Sequence, residues 1–294
     1  KTAYEIMPSL VGSEMCIRDR CCPSIDTLFQ SKDGVIVATF DNLVRRRCKL
    51  WAYDPCSGVC LLRCKGVPSE LKSLSLSAAT ALRRGMCVLT VANPYGVDHS
   101  TRYGFALGPV LAGRDSKCLA YKLDLDYVRG HEGGVAYAFE KGFAGMILAS
   151  WGSSEDSFLS NALTNKRPGS TVILPARALR TILNCLVDRR PVKRGWVGLK
   201  VSHIQSEGGK TLLKVIAVAK GSPAMKAGIR RGETIVGVKG KEIRSIDDLY
   251  EVALWVEYQG IGKQISFQVL SAEGKVRTVT VSIGERPAGV QSFR

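Results

Sequence analysis

Hydrolysis near neutral pH usually rests on an imidazole set beside an oxygen or sulfur nucleophile, and this sequence has only three histidines, His99, His131 and His203. His131 lies in the glycine-rich stretch Gly130-His131-Glu132-Gly133-Gly134. Its neighbour there is a carboxylate, and adjacent side chains in a tight turn point apart, so no activated Ser or Cys is evident. Cys56, Cys60 and Cys64 recur every fourth residue. A strand through them would put Cys60, Leu62 and Cys64 on one pleated face, where a cysteine packs as a small apolar residue. With no C-x-x-C pair and no nearby histidine to complete four ligands, no metal site is expected, and no cofactor. Ten cysteines in 294 residues is too sparse for a disulfide scaffold, so reduced thiols are expected.

The elements that must carry these residues follow from length and pattern. A chain of 294 residues, 45% hydrophobic and 23% charged, has the composition of a folded protein and the length of two domains. No apolar run approaches the roughly 18 to 20 residues of a spanning helix, so no membrane span is expected. Lys and Arg give a net charge of +16, which favours polyanions without specifying chemistry. Residues 1–30 are set aside. They show no signal peptide, SLVGSEMCIRDR resembles a translated cDNA adapter, and the true N-terminus is expected to be missing.

From Ser31 to Trp151, short apolar runs alternate with turn signals such as Asp33-Gly34, Asp54-Pro55 and Gly133-Gly134, the pattern of an all-β barrel or sandwich. Between Val172 and Val187 the spacing changes to three and four, which predicts a helix with Pro175 in its first turn. That helix and a basic segment at 188–194 read as a hinge. Residues 195–285 then alternate strands with two helical segments, one at Pro223 to Ala227 and one at Ile246 to Val256, before a tail at 286–294.

The run from Gly221 to Lys241, GSPAMKAGIRRGETIVGVKGK, closely resembles the signature of PDZ domains. What the resemblance implies is a partly open five-stranded barrel with two helices. Trp196-Val197-Gly198-Leu199 would be the loop whose amides receive a peptide carboxylate. Leu199, Val201, Leu249, Val252 and Ala253 would line an apolar pocket. A peptide would add to the strand Leu199 to His203 as an extra strand.

The whole pattern from about residue 31 to 285 resembles the HtrA (Do-like or Deg) serine proteases, which implies a chymotrypsin-like double β-barrel, mainly β, followed by the PDZ domain. Against the family's triad motifs, DGVIVATFDNLV puts Asp41 at the His position, DPCSGVCLLR puts Gly58 at the Asp position, and LDLDYVRGHEGGVA puts Glu132 at the Ser position. Gly130 and Gly133 remain from the oxyanion turn. A carboxylate there would bring negative charge to the oxyanion position, so the expectation is that the chain is not an enzyme. Asp41 and Glu132 are read as solvated acids rather than a cation site.

The expectation is therefore a catalytically inactive HtrA homologue, a scaffold that binds C-terminal or extended peptide segments and assembles with like or HtrA-like subunits. Two alternatives stand beside it: an active HtrA-type endopeptidase of protein quality control with misaligned residues, and a basic RNA- or ribosome-associated protein, suggested by Arg45-Arg46-Arg47 and Arg189-Arg190. The resemblance points to a mitochondrion or plastid.

Overall fold

The computed structural model describes residues 36–39, 45–65, 76, 80–92, 100–112, 118–128, 131–139, 141–151, 169–205, 211–271 and 274–287. The chain divides into two compact units, Lys1–Val192 and Lys193–Arg294.

In the first unit, strands β1 (Ile36–Thr39), β2 (Arg45–Tyr53) and β3 (Cys60–Cys64) form an antiparallel sheet in that order. Six more strands close a barrel: β4 (Cys87–Ala92), β5 (Ser100–Ala112), β6 (Cys118–Asp126), β7 (Val135–Ala138), β8 (Gly142–Trp151) and β9 (Ser170–Pro175), ordered β4-β5-β6-β9-β8-β7. Alternation explains the inward face. In β4, Val88, Thr90 and Ala92 are buried while their neighbours are half-buried, as a period of two requires when one face meets the core.

Ser170 to Pro175 is a strand, not the start of the expected helix. Thr171, Val172 and Ile173 are β-branched and buried, and Tyr121 of β6 and Ile147 of β8 pair with Ile173 on its two sides. Barrel closure outweighs the local helical spacing. Pro175, with φ −59°, stands at the N-cap of α1 (Ala176–Val187) rather than inside it. That helix is not part of a hinge either. It packs on β8, β2, β3 and β9 and buries Ala178, Leu179, Ile182, Leu183 and Leu186 as one stripe. Each large aliphatic of that stripe contributes about 1.5 to 3 kcal/mol by leaving water.

The expectation of reduced thiols fails at Cys48, which is buried on β2 and disulfide-bonded. Cys56, Cys60, Cys87, Cys118 and Cys185 keep their thiols.

The second unit holds a path of five strands: β11 (Leu199–Gln205), β12 (Thr211–Val218), β13 (Thr234–Val238), β15 (Gln264–Leu270) and β16 (Val276–Ser282). The short β14 (Lys241–Glu242) pairs with β13, and β10 (Gly195–Trp196) pairs separately with β17 (Gly284–Glu285). Lys239 (φ +51°) and Gly240 (φ +74°) make the tight β13–β14 hairpin. Helix α2 (Pro223–Lys226) starts at Ser222, whose hydroxyl accepts from the Met225 amide at 3.2 Å. Helix α3 (Ile246–Gln259) starts with a capping box: Ser245 accepts from the Asp248 amide, and the Asp248 carboxylate accepts from the Ser245 amide, both at 3.1 Å.

Candidate functional sites

The second unit places its candidate groove at the open edge of a sheet. β11 is the terminal strand of the five-strand path, so one of its edges has no neighbour among the described strands. Ahead of it, Gly198 adopts φ +80°, a conformation L side chains rarely take, and an added Cβ there would stand 2.1 Å from the Ser222 Cβ. The carbonyls of Val197 and Gly198 are engaged, accepting from the amides of Ala224 and Ala219 at 2.9 Å each. Among the described residues, the amides of Val197 and Gly198 donate to no acceptor. Two donors therefore lie at the head of an edge strand, at the position expected for a carboxylate loop.

The expected pocket residues separate into two groups. Val197, Leu199 and Ala253 are buried at 5%, 7% and 8% exposure, so they belong to the core as much as to any groove. Val201, Leu249 and Val252 are only partly buried while packing on the same core, which leaves their outer surfaces for a ligand. Trp196 is half-buried beside Gly198. The side chain of His203 lies outside the described residues.

A buried ion cluster that sequence reasoning missed anchors this loop. Glu257 on α3, 1% exposed, accepts ion pairs from Arg194 (3.4 Å) and Arg286 (3.0 Å), and the Arg286 amide donates to the Arg194 carbonyl at 2.8 Å. Arg194 directly precedes β10 and the Gly198 turn, so the cluster ties the entry to the groove to the end of α3. A signal existed in the sequence: Glu257 falls among Val256 and Tyr258 in the last turn of an apolar helix, with basic residues at both ends of the module.

In the first unit, the candidate turn is His131–Gly134. Gly133 has φ +82°, and its amide donates to the Ile147 carbonyl at 2.9 Å. The Gly134 amide donates to the His131 carbonyl at 3.0 Å, and Ile147 returns a bond to the Gly134 carbonyl at 2.7 Å. The turn is thus stitched to β8. Glu132 is buried at 5% exposure, which corrects its reading as a solvated acid. His131 is also buried, and its Nε2 has no hydrogen-bond partner among the described residues. Burial, and then the positive charge of Arg102 on β5, hold it below its ordinary 6.5.

Gly58, at the expected Asp position, sits with φ +74° in a turn that donates its amide to the Asp54 carbonyl at 2.8 Å. The carboxylate of Asp54 accepts from the Ser57 amide (3.0 Å) and hydroxyl (2.5 Å), which makes it the organiser of that turn. Asp41, Gly130 and His99 lie outside the described residues. No group of three or more metal-ligating side chains occurs among the described residues, and no helix among them is long and apolar enough to cross a membrane.

Comparison with known proteins matches residues 214–253 to the PDZ domain family. The chain is 25% identical over 279 residues to a probable periplasmic serine endoprotease, DegP-like, of Hahella chejuensis, covering 88% of this chain and 56% of that one. It is 26% identical over 213 residues to the periplasmic pH-dependent serine endoprotease DegQ of Escherichia coli, covering 68% and 44%. The chain spans about half the length of the curated relatives it matches. Among solved structures, the HtrA-type protease AlgW with tripeptide superposes with a TM-score of 0.59 at 20% identity, covering 86% of this chain and 82% of that one.

Two expectations are overturned by these relatives. They are serine endoproteases, which contradicts the expectation that the chain is not an enzyme, an expectation drawn from three motif positions alone. They are periplasmic and bacterial, which contradicts the mitochondrion or plastid. The mainly-β, chymotrypsin-like architecture and the PDZ module stand, and this chain is an HtrA-like protein with a PDZ domain in its second unit.

Proposed function

We propose that the PDZ unit captures the C-terminal end of an extended polypeptide by adding it as a strand to the edge of β11. The observation that carries this reading is the pair of amides at Val197 and Gly198, which donate to no acceptor among the described residues and stand at the head of that edge strand. A terminal carboxylate accepts two such donors in charge-assisted bonds, each worth about 1.5 to 3 kcal/mol. Main-chain pairing along β11 then supplies affinity without regard to sequence, and the exposed parts of Val201, Leu249 and Val252 select an apolar last residue. α3 packs against β10, and the space along β11 is the route for the guest strand. Association with HtrA-like subunits accompanies this role, and light scattering of the purified chain reads the number of copies.

The test is fluorescence polarisation of labelled peptides ending in Val, Leu or Asp, each with a free or an amidated C-terminus. Peptides ending in Val or Leu with a free carboxylate bind, and amidation weakens them about tenfold or more. Equal binding of the amidated form would end the reading. Leu249→Lys removes the apolar preference while leaving the fold, checked by circular dichroism.

A second reading follows from the relatives' names: the barrel unit cleaves unfolded polypeptide. Labelling by a serine-reactive fluorophosphonate together with digestion of reduced, unfolded substrate supports it. Failure of both removes it.

A further inference from the structure

We propose that the outer face of the β1-β2-β3 sheet is a binding surface for single-stranded nucleic acid. Four observations meet there.

The first is the alternation of β2. Arg45, Arg47 and Lys49 are exposed, while Cys48 between them is buried. All three cations therefore share the solvent face, repeating every second residue at about 6.7 Å, a spacing an extended sugar–phosphate chain can follow. The second is register. Lys49 pairs with Arg63 of β3, which puts a fourth exposed cation on the same face.

The third is the bulge at Trp51, the extra residue where the β2–β3 register shifts between Leu50 and Ala52. Two guanidinium groups lie over its ring as cation–π contacts: Arg189, from just past the end of α1, at 3.7 Å and Arg63 at 5.1 Å. The indole Nε1 donates to the Val187 carbonyl at 3.1 Å, so the ring is held from below. Arg189 itself has φ +53°, an uncommon conformation for arginine that brings it to this ring. Guanidinium planes fixed in this way are platforms on which unpaired bases stack.

The fourth concerns ion pairing. Among the described residues, Arg45, Arg47, Lys49 and Arg63 form no ion pair, while the nearby Asp188 is engaged by Arg190 at 2.7 Å. A solvated charged face needs no aromatic support and usually intersperses both signs. This one is cationic, mostly arginine, and partly pre-organised. Arginine's planar fork matches phosphate oxygens better than a lysine point charge does, which favours a phosphodiester over a polycarboxylate. A stacked guanidinium favours a strand with unpaired bases over a duplex.

Fluorescence anisotropy of the full chain with a labelled 20-nucleotide oligouridylate, titrated at several salt concentrations, tests this. With four phosphates engaged, the logarithm of affinity falls with that of salt with a slope of about −3. The triple variant R45A/R47A/K49A, all exposed positions, reduces that slope by about 2 and weakens binding about tenfold or more. Its thermal midpoint stays unchanged. Trp51→Leu weakens the oligonucleotide while leaving inorganic polyphosphate unaffected. Four competitors are measured at the same salt: a duplex of the same length, polyphosphate, polyglutamate, and phosphatidylserine vesicles. Equal or tighter binding of any of them, or an unchanged triple variant, overturns the proposal.

Discussion

The barrel turn His131–Gly134 and the PDZ turn Val197–Leu199 are built on the same local device, a glycine with φ near +80° (Gly133 +82°, Gly198 +80°), and they reach opposite ends. In the first, the two glycine amides are bonded to Ile147 and His131 carbonyls, and two ionisable side chains are buried beside them. In the second, the carbonyls are engaged and two amides have no acceptor among the described residues. A glycine-rich turn therefore does not by itself mark a binding site. What marks one is the direction in which its donors remain unsatisfied, and that is fixed by the partner strand rather than by the turn's own residues.

The contrast can be broken most severely at the anchor of the PDZ turn. Glu257→Ala leaves two buried arginines without their carboxylate and costs about 3 to 5 kcal/mol, read by urea denaturation of the second unit. A loss within about 0.5 kcal/mol would mean that the loop does not depend on this cluster. Next, Gly198→Ala puts a Cβ 2.1 Å from that of Ser222 and turns the loop's amides away, lowering affinity for a free-carboxylate peptide about 100-fold. Unchanged affinity would detach the loop from binding. Ser222→Ala removes the cap of α2 on which that loop rests and costs about 1 kcal/mol, visible as a small shift in the denaturation midpoint.

The smallest effect sharpens the other turn. Because His131 is held below 6.5 in the folded protein, the unfolded chain binds the proton more readily. The imidazole's contribution is then present above about pH 6.5 and declines as pH falls through 6.5 toward the folded value. His131→Asn flattens the stability curve in that window, measured by thermal melts from pH 7.5 to 5. A variant that keeps the wild-type slope would place the titration elsewhere.

Much of the fold was legible in the residues. The helical segments expected at Pro223 to Ala227 and Ile246 to Val256 appear as α2 (Pro223–Lys226) and α3 (Ile246–Gln259), because capping residues and apolar spacing agree there. β9 was not, since Leu174, Ala178 and Ile182 mimic a helical stripe across the true boundary at Pro175, and only the closing of the barrel decides it. The turn Trp196 to Leu199 was singled out by the resemblance, but the division of Leu199 and Ala253 from Val201, Leu249 and Val252 depends on packing that no local pattern encodes. The stacking of Arg189 on Trp51 joins residues far apart in sequence, and it was invisible for that reason. The disulfide at Cys48 was missed because overall cysteine density says nothing about one pair.

The edge of β11 that has no neighbour among the described strands has one more effect. Any row of exposed peptide groups is a template that a matching row on a second copy could join, the usual start of edge-to-edge aggregation. The shift in pairing between Lys200 and Val201 breaks that template near its beginning, because an irregular strand bends and twists out of the plane a rigid neighbour would need. A short, pliant guest can follow such a contour, whereas the pre-formed rim of another folded sheet cannot.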